Sequence, residues 1–236
     1  MNIKSDKDRQ NSVLFDTDRL RSSRVLLIGL GGLGSPTAFA LAGGGVGSIT
    51  LCDSDRVSAE NLNRQTLYSA CDIGESKVKA SFDRLSAFAP DCKFDCLDIF
   101  VGEENAAEIT DGFDLVILAV DNNKVRFEVN KACVKNKIKL MNIGISGVYG
   151  SIYLYEPDIT PCLSCVLSDT ESPDKRTSAA PCGIIGSFAA MRALDALCGN
   201  DRSKGKLTVI DCREATVDSL SVRRRCGCNI CGGEHT

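Results

Sequence analysis

The segment VLLIGLGGLGSPTAFALA, residues 25–42, does most to limit what this chain can fold into. Its apolar start, with Arg24 the strand RVLLI over 24–28, has the length of a buried strand. That strand enters a turn holding Gly29, Gly31, Gly32 and Gly34, and a helix of small residues follows over 32–44. Strand, glycine turn and helix in this order open a parallel α/β sheet. Such glycines let backbone N–H groups approach a phosphate, and the helix N-terminus behind them favours negative charge. The glycines match G-x-G-x-x-G, and Asp53 stands 19 residues after Gly34 at the end of the next strand. A carboxylate placed there can hold a ribose hydroxyl. These features alone fit an NAD(P)-binding oxidoreductase, a non-catalytic nucleotide sensor, an ATP enzyme or a ligand-free turn.

The pattern continues with a strand over 48–53 and a helix over 75–89, where Val78, Phe82, Leu85 and Phe88 keep helical spacing up to Pro90. A third strand alternates over 93–99. A fourth, apolar throughout and so buried on both faces, covers 114–120. A helix over 123–136 and a strand over 139–145 follow. This alternation predicts a Rossmann-like, doubly wound and mostly parallel sheet. Beyond residue 145 the texture changes. Strands over 147–157, 206–212 and 215–224, with one helix at about 183–198, predict a mixed or antiparallel extension of the same sheet. The polar, proline-bearing stretch 168–181 reads as a mobile loop or crossover. The whole, 1–236, is expected to form one domain, with a nucleotide-binding half over about 20–145 and a second half over about 146–236.

Net charge is −3, so no global basic field draws in nucleic acid and no polybasic run addresses a membrane. The apolar runs are short and cut by glycine, which predicts no bilayer span. The polar N-terminus carries no apolar signal core, and a cytoplasmic location is expected. Thirteen cysteines, an odd number, then argue for metal ligands and buried or reactive thiols rather than a disulfide scaffold. Cys52, Cys133 and Cys198 read as small buried hydrophobes. Cys162 with Cys165, and Cys228 with Cys231, form two C-x-x-C pairs separated by 62 residues. Four thiolates close a tetrahedral structural zinc site, which would pin the tail to a mid-chain loop. A redox pair and an iron–sulfur cluster are the rival readings, with Cys226 and His235 as neighbouring substitutes. Cys182 precedes a helix whose N-terminus can lower a thiol's pKa, which makes it either a reactive thiol or a buried helix-start cysteine.

The stretch DSDRVSAENLNRQTL, 53–67, shifts the balance between nucleotides. A dinucleotide site has no need of cations after its ribose carboxylate. Here Asn61, Arg64 and Gln65 come together, and Lys77 follows Arg64 by 13 residues. An arginine and a lysine converging on one phosphate chain suit a triphosphate, since they neutralise departing pyrophosphate. Asp121 ends the fourth strand, where open α/β sheets bind ligands, and can hold a Mg²⁺ that bridges phosphates. It can also cap the following helix, a task Asn122 can take over.

GLGGLG, the pair Asp53 and Asp55, ENLNRQ, Lys77, VDNN and GIIGSFAAMRAL, in that order, resemble the ThiF/MoeB/HesA family, the bacterial branch of the ubiquitin-activating-enzyme superfamily. The resemblance runs from about Arg9 to Gly232. It implies an ATP- and Mg²⁺-dependent adenylyltransferase that activates the C-terminal glycine of a small ubiquitin-like sulfur carrier of the ThiS or MoaD type, for thiamine or molybdenum-cofactor sulfur transfer. Relatives adenylate a peptide C-terminus or activate a modified tRNA base, and both remain alternatives. By position, Gly32 would lie at the phosphates and Asp53 on the ribose. Asn61, Arg64 and Lys77 would contact the triphosphate, and Asp121 the Mg²⁺. Arg9 resembles an N-terminal arginine that reaches the other subunit's γ-phosphate, which implies a homodimer. The resemblance also supports zinc at the four cysteines and suggests a covalent persulfide or acyl role for Cys182. It further implies a separate sulfur donor, such as a cysteine desulfurase or rhodanese.

Overall fold

The computed structural model describes residues 3–168, 176–200 and 202–232. Its centre is one eight-stranded sheet in the order β3-β2-β1-β4-β5-β6-β7-β8. The parallel part comprises β1 (Arg24–Ile28), β2 (Ser48–Cys52), β3 (Lys93–Leu97), β4 (Leu115–Leu118) and β5 (Lys139–Ser146). The antiparallel part adds β6 (Tyr149–Tyr155), β7 (Lys206–Asp211) and β8 (Thr216–Ser221). The chain leaves β1 toward β2 on one side and returns to β4 on the other. The carboxyl ends of β1 and β4 therefore flank the point where strand order reverses, the place where such sheets hold ligands.

Alternation along β1 explains the two layers. Val25 and Leu27 face a core closed by α3 (Gly34–Gly44), α4 (Lys77–Phe88) and α8 (Ala179–Leu197). Leu26 and Ile28 face a second core under α5 (Ala106–Thr110), α6 (Asn123–Asn136) and α7 (Leu163–Val166). The glycine turn is set by two close approaches. Gly29 takes φ +94°, a conformation costly for any other residue, and a side chain on Gly34 would overlap the Gly29 carbonyl oxygen.

Two short helices escape the periodicity. Charged α1 (Ile3–Asn11) has no apolar face to read, and α2 (Thr17–Ser22) is defined by a local cap, Asp16 accepting from the Arg19 N–H at 3.1 Å. Helix α8 starts at Ala179, four residues before the expected 183, so most of the expected crossover's last residues are helical. Residues 169–175 of that stretch lie outside the described residues. By length and composition α8 is a described helix apolar enough to cross a membrane, contrary to the sequence expectation. Its packing accounts for that composition. Ile185, Ala189, Ala190 and Ala193 are fully buried in the core shared with α3, and the Thr37 hydroxyl donates across to the Gly186 carbonyl at 3.1 Å.

Candidate active site and metal centre

A cleft of about 890 Å³ opens over the carboxyl ends of the parallel strands. Gly29, Gly31 and Gly32 form part of its wall, while Gly34 lies behind them as the first residue of α3. Asp53 lines the cleft and braces the turn. Its Oδ2 accepts from the Leu30 N–H at 2.7 Å and its Oδ1 from the Asp55 N–H at 2.9 Å. The tip of β2 is thereby tied to the turn after β1.

The segment after β2 brings the expected cations to the same wall. Lys77, at the start of α4, has a side chain only 6% exposed, and its Nζ meets Asp55 Oδ2 at 2.8 Å. The Lys77 N–H also donates to the Asp55 carbonyl at 3.0 Å, so ion pair and backbone fix the same link. Arg64 donates from Nη1 to Asn63 Oδ1 at 2.8 Å and to the Glu60 carbonyl at 3.3 Å. Asn61 stands beside it on the cleft wall. Gln65 is buried, and its Oε1 has no hydrogen-bond partner among the described residues. A buried acceptor without a partner is costly, so this atom fits a site that a polar ligand or water completes.

On the other side of the reversal point, Asp121 lines the cleft just beyond β4 and is exposed. Asn122 carries out the capping anticipated for it, accepting from the Val125 N–H at 3.3 Å, which leaves Asp121 clear of that duty. An exposed carboxylate on the cleft wall suits a hard divalent cation such as Mg²⁺. The sequence reading missed Arg126. Its guanidinium is largely buried and donates to the Val120 carbonyl from Nε at 3.2 Å and from Nη2, and to the Ile143 carbonyl from Nη2 at 3.3 Å. Burial lowers its pKa against an opposing pull from Asp121. Four residues into α6, it carries no motif, and only the fold turns it back toward the strand ends.

Cys182 is buried at the start of α8 and lines the cleft against Gly32, where a Cβ would meet its Sγ at 2.8 Å. Burial pushes its thiol pKa up, outweighing the Thr177 hydrogen bond and the nearby Arg64 charge. The expected lowering by the helix N-terminus is therefore not the net effect. Arg9 sits exposed on α1 and does not line this chain's own cleft.

Away from the cleft, the four C-x-x-C thiols come together. The Sγ atoms of Cys162, Cys165, Cys228 and Cys231 all lie within 4.8 Å of one another. Cys162 to Cys228 is 3.8 Å and Cys165 to Cys231 is 3.6 Å, too long for disulfides. Zinc–sulfur bonds of about 2.3 Å at tetrahedral angles put sulfurs roughly 3.8 Å apart. The residues therefore fit a structural zinc, which would anchor the tail after β8 to α7. Cys228 illustrates the preparation. Burial pushes its pKa up, but the Cys231 and Ile230 N–H groups and the neighbouring thiols hold it down at about 6. Cys226 is exposed outside the cluster, and His235 lies outside the described residues.

Over residues 8–230 the chain matches the ThiF family. It is 34% identical to the sulfur carrier protein ThiS adenylyltransferase of Escherichia coli (strain K12) over 223 residues, covering 92% of this chain and 89% of that protein. With the molybdopterin-synthase adenylyltransferase of the same strain it shares 32% over 228 residues, 92% of each chain. It is 30% identical to the adenylyltransferase and sulfurtransferase MOCS3 of Aedes aegypti, of which it covers 51%. Among solved structures, E. coli MccB with MccA-N7isoASN superposes with a TM-score of 0.83 at 24% identity, covering 92% of this chain and 69% of that one. That last likeness is one of fold. Family match, identity across nearly the full length of the two Escherichia coli relatives and the reversal-point cleft agree, and the chain belongs to the ThiF family as an adenylyltransferase.

Proposed function

We propose that this chain uses ATP to adenylate the C-terminal glycine carboxylate of a small ubiquitin-like sulfur carrier of the ThiS or MoaD type. The observation that carries this reading is the meeting, in one cleft, of the glycine turn, a nearly buried Lys77 and the exposed Asp121. The names of the curated relatives supply the substrate class.

A carboxylate is a weak electrophile, and joining it to AMP makes a mixed anhydride. The protein's task is positioning and charge neutralisation. The N–H groups of the glycine turn cradle the phosphates, and Asp53, already bracing that turn, holds the ribose. Arg64 and Lys77 stabilise the charge that builds on pyrophosphate, with Lys77 turning from Asp55 to the phosphates. Asp121 would hold Mg²⁺, which supplies charge neutralisation at the α-phosphate when bound. In this reading the chain acts as one adenylation domain in a cytoplasmic homodimer. Arg9 reaches the partner's γ-phosphate, and a sulfur donor serves the activated carrier in thiamine or molybdenum-cofactor sulfur transfer.

The test is ATP–pyrophosphate exchange, with Mg²⁺, against a panel of small proteins ending in Gly-Gly. Exchange that depends on one of them supports the reading and names the partner. Exchange with none of them, while ATP still binds, overturns it in favour of a peptide or tRNA substrate.

A further inference from the structure

Leu30, between Gly29 and Gly31 of the glycine turn, is fully buried, and side chains from other segments hold both of its backbone polar groups. Its N–H donates to Asp53 Oδ2 at 2.7 Å. Its carbonyl accepts from the Tyr68 hydroxyl at 2.9 Å, and the Ser35 hydroxyl adds a longer contact at 3.4 Å. Tyr68 is buried as well. Its hydroxyl oxygen also stands 3.1 Å from Ser81 Oγ and 3.5 Å from the Lys77 carbonyl. A phenol has one proton to donate. The shortest contact takes it, so Tyr68 donates to Leu30 and Ser81 donates to Tyr68. Burial pushes the phenol's pKa up, which keeps that proton in place.

The Leu30–Gly31 peptide is trans, and in a planar trans peptide C=O and N–H point in opposite directions. With the Leu30 carbonyl drawn to Tyr68 behind the turn, the Gly31 N–H is turned the other way. Gly31 lines the cleft and Leu30 does not. Among the described residues the Gly31 N–H has no acceptor, so it is a donor left open on the cleft side. A flipped peptide would present the Leu30 carbonyl there instead, and its partial negative charge repels phosphate.

We infer that the Tyr68 hydroxyl is a positioning group for nucleotide binding: by holding the Leu30 carbonyl it aims the Gly31 N–H at the phosphates. The role rests on the ATP reading above and adds a residue outside the motifs that carry it. Ser81 stands on α4 one turn after Lys77. One hydroxyl thereby ties the glycine turn to the helix that presents Lys77.

Leucine precedes glycine only at Leu30–Gly31 and Leu33–Gly34. Protein carrying ¹³C at the leucine carbonyl and ¹⁵N in glycine therefore gives one carbonyl-selected amide signal for each of these peptides, and Gly31→Ala assigns them by removing its own. In the wild type, ATP is expected to move the Gly31 amide proton downfield, the mark of a new acceptor, and in Tyr68→Phe that move is lost. Affinity is read on the same proteins. Tyr68→Phe is expected to weaken ATP binding by roughly tenfold, the scale of one hydrogen bond to a charged group, and adenosine binding by less than about twofold. A merely structural role affects both ligands alike. Should Tyr68→Phe fail to fold, Ser81→Ala, which keeps the phenol and removes the group that orients it, is expected to show the same selective loss at smaller size. A Gly31 amide that ATP does not move in the wild type, or a variant in which ATP and adenosine are affected by the same factor, overturns the role. A wild type that binds no ATP overturns the nucleotide reading with it. ATP binding without carrier-dependent exchange overturns the carrier reading alone, and the ATP-to-adenosine ratio still decides for or against Tyr68.

Discussion

Asp53 Oδ2 accepts the Leu30 N–H at 2.7 Å, so the carboxylate expected to hold a ribose also holds the glycine turn in shape. Its second oxygen takes the Asp55 N–H at 2.9 Å. In the proposed reading this one side chain couples nucleotide affinity to the order of two loops. Asp53→Ala leaves both N–H groups without this partner, and a loss of about 1–3 kcal/mol in unfolding free energy is expected, together with weakened ATP binding. Urea unfolding and an ATP titration on the same variant check both. An Asp53→Ala protein as stable as the wild type contradicts the bracing role.

Lys77 is nearly buried, and its Nζ pairs with Asp55 Oδ2 at 2.8 Å. Lys77→Ala is expected to lower adenylation by roughly 100-fold or more, the usual cost of removing a group that stabilises charge in the transition state. Asp121→Ala is expected to abolish AMP transfer while leaving the fold intact, because the Asn122 cap of α6 survives. Full exchange activity in Asp121→Ala would sink the mechanism.

The cysteine cluster predicts one zinc per chain, measured by elemental analysis of protein purified without added metal. Cys228→Ser is expected to lose that zinc and lower Tm. Adenylation at low temperature should survive better than in Asp121→Ala, since the cluster lies outside the cleft. Iron in place of zinc, or an unchanged Tm, contradicts a structural zinc.

Burial pushes Cys52, Cys92 and Cys133 from 9.0 up to about 12. A thiol with a raised pKa in the folded chain keeps its proton there and releases it on unfolding. The stabilisation is whole below pH 9.0 and is lost as pH rises toward 12, at up to about 1.4 kcal/mol per pH unit for each thiol. Urea midpoints between pH 8 and 11, taken under reducing conditions, should fall with a slope that flattens in Cys133→Ala, a variant in which one of the three thiols is gone.

Much of this molecule was legible because its parts obey short periods. The 123–136 helix appears with those bounds, and the apolar strands lie within a few residues of their expected ends. The cleft-lining residues Arg64, Lys77 and Asp121 were readable from local sequence: Asp121 lies just past β4, Lys77 starts α4, and Arg64 stands in the polar segment that joins β2 to α4. Arg126 was not. It reaches the cleft through the return of α6 over β4, a long-range relation that leaves no local pattern. The pKa of Cys182 went the other way for a related reason. A helix start is visible in sequence, but the burial that outweighs it comes from packing against the glycine turn.

The most direct measurement follows the label from α-³²P-ATP in a mixture of this chain, Mg²⁺ and the carrier that supports exchange. The account predicts label on the carrier, lost when its terminal glycine is deleted and absent with Asp121→Ala. Label that survives removal of the terminal glycine, or that appears on tRNA instead, would contradict it.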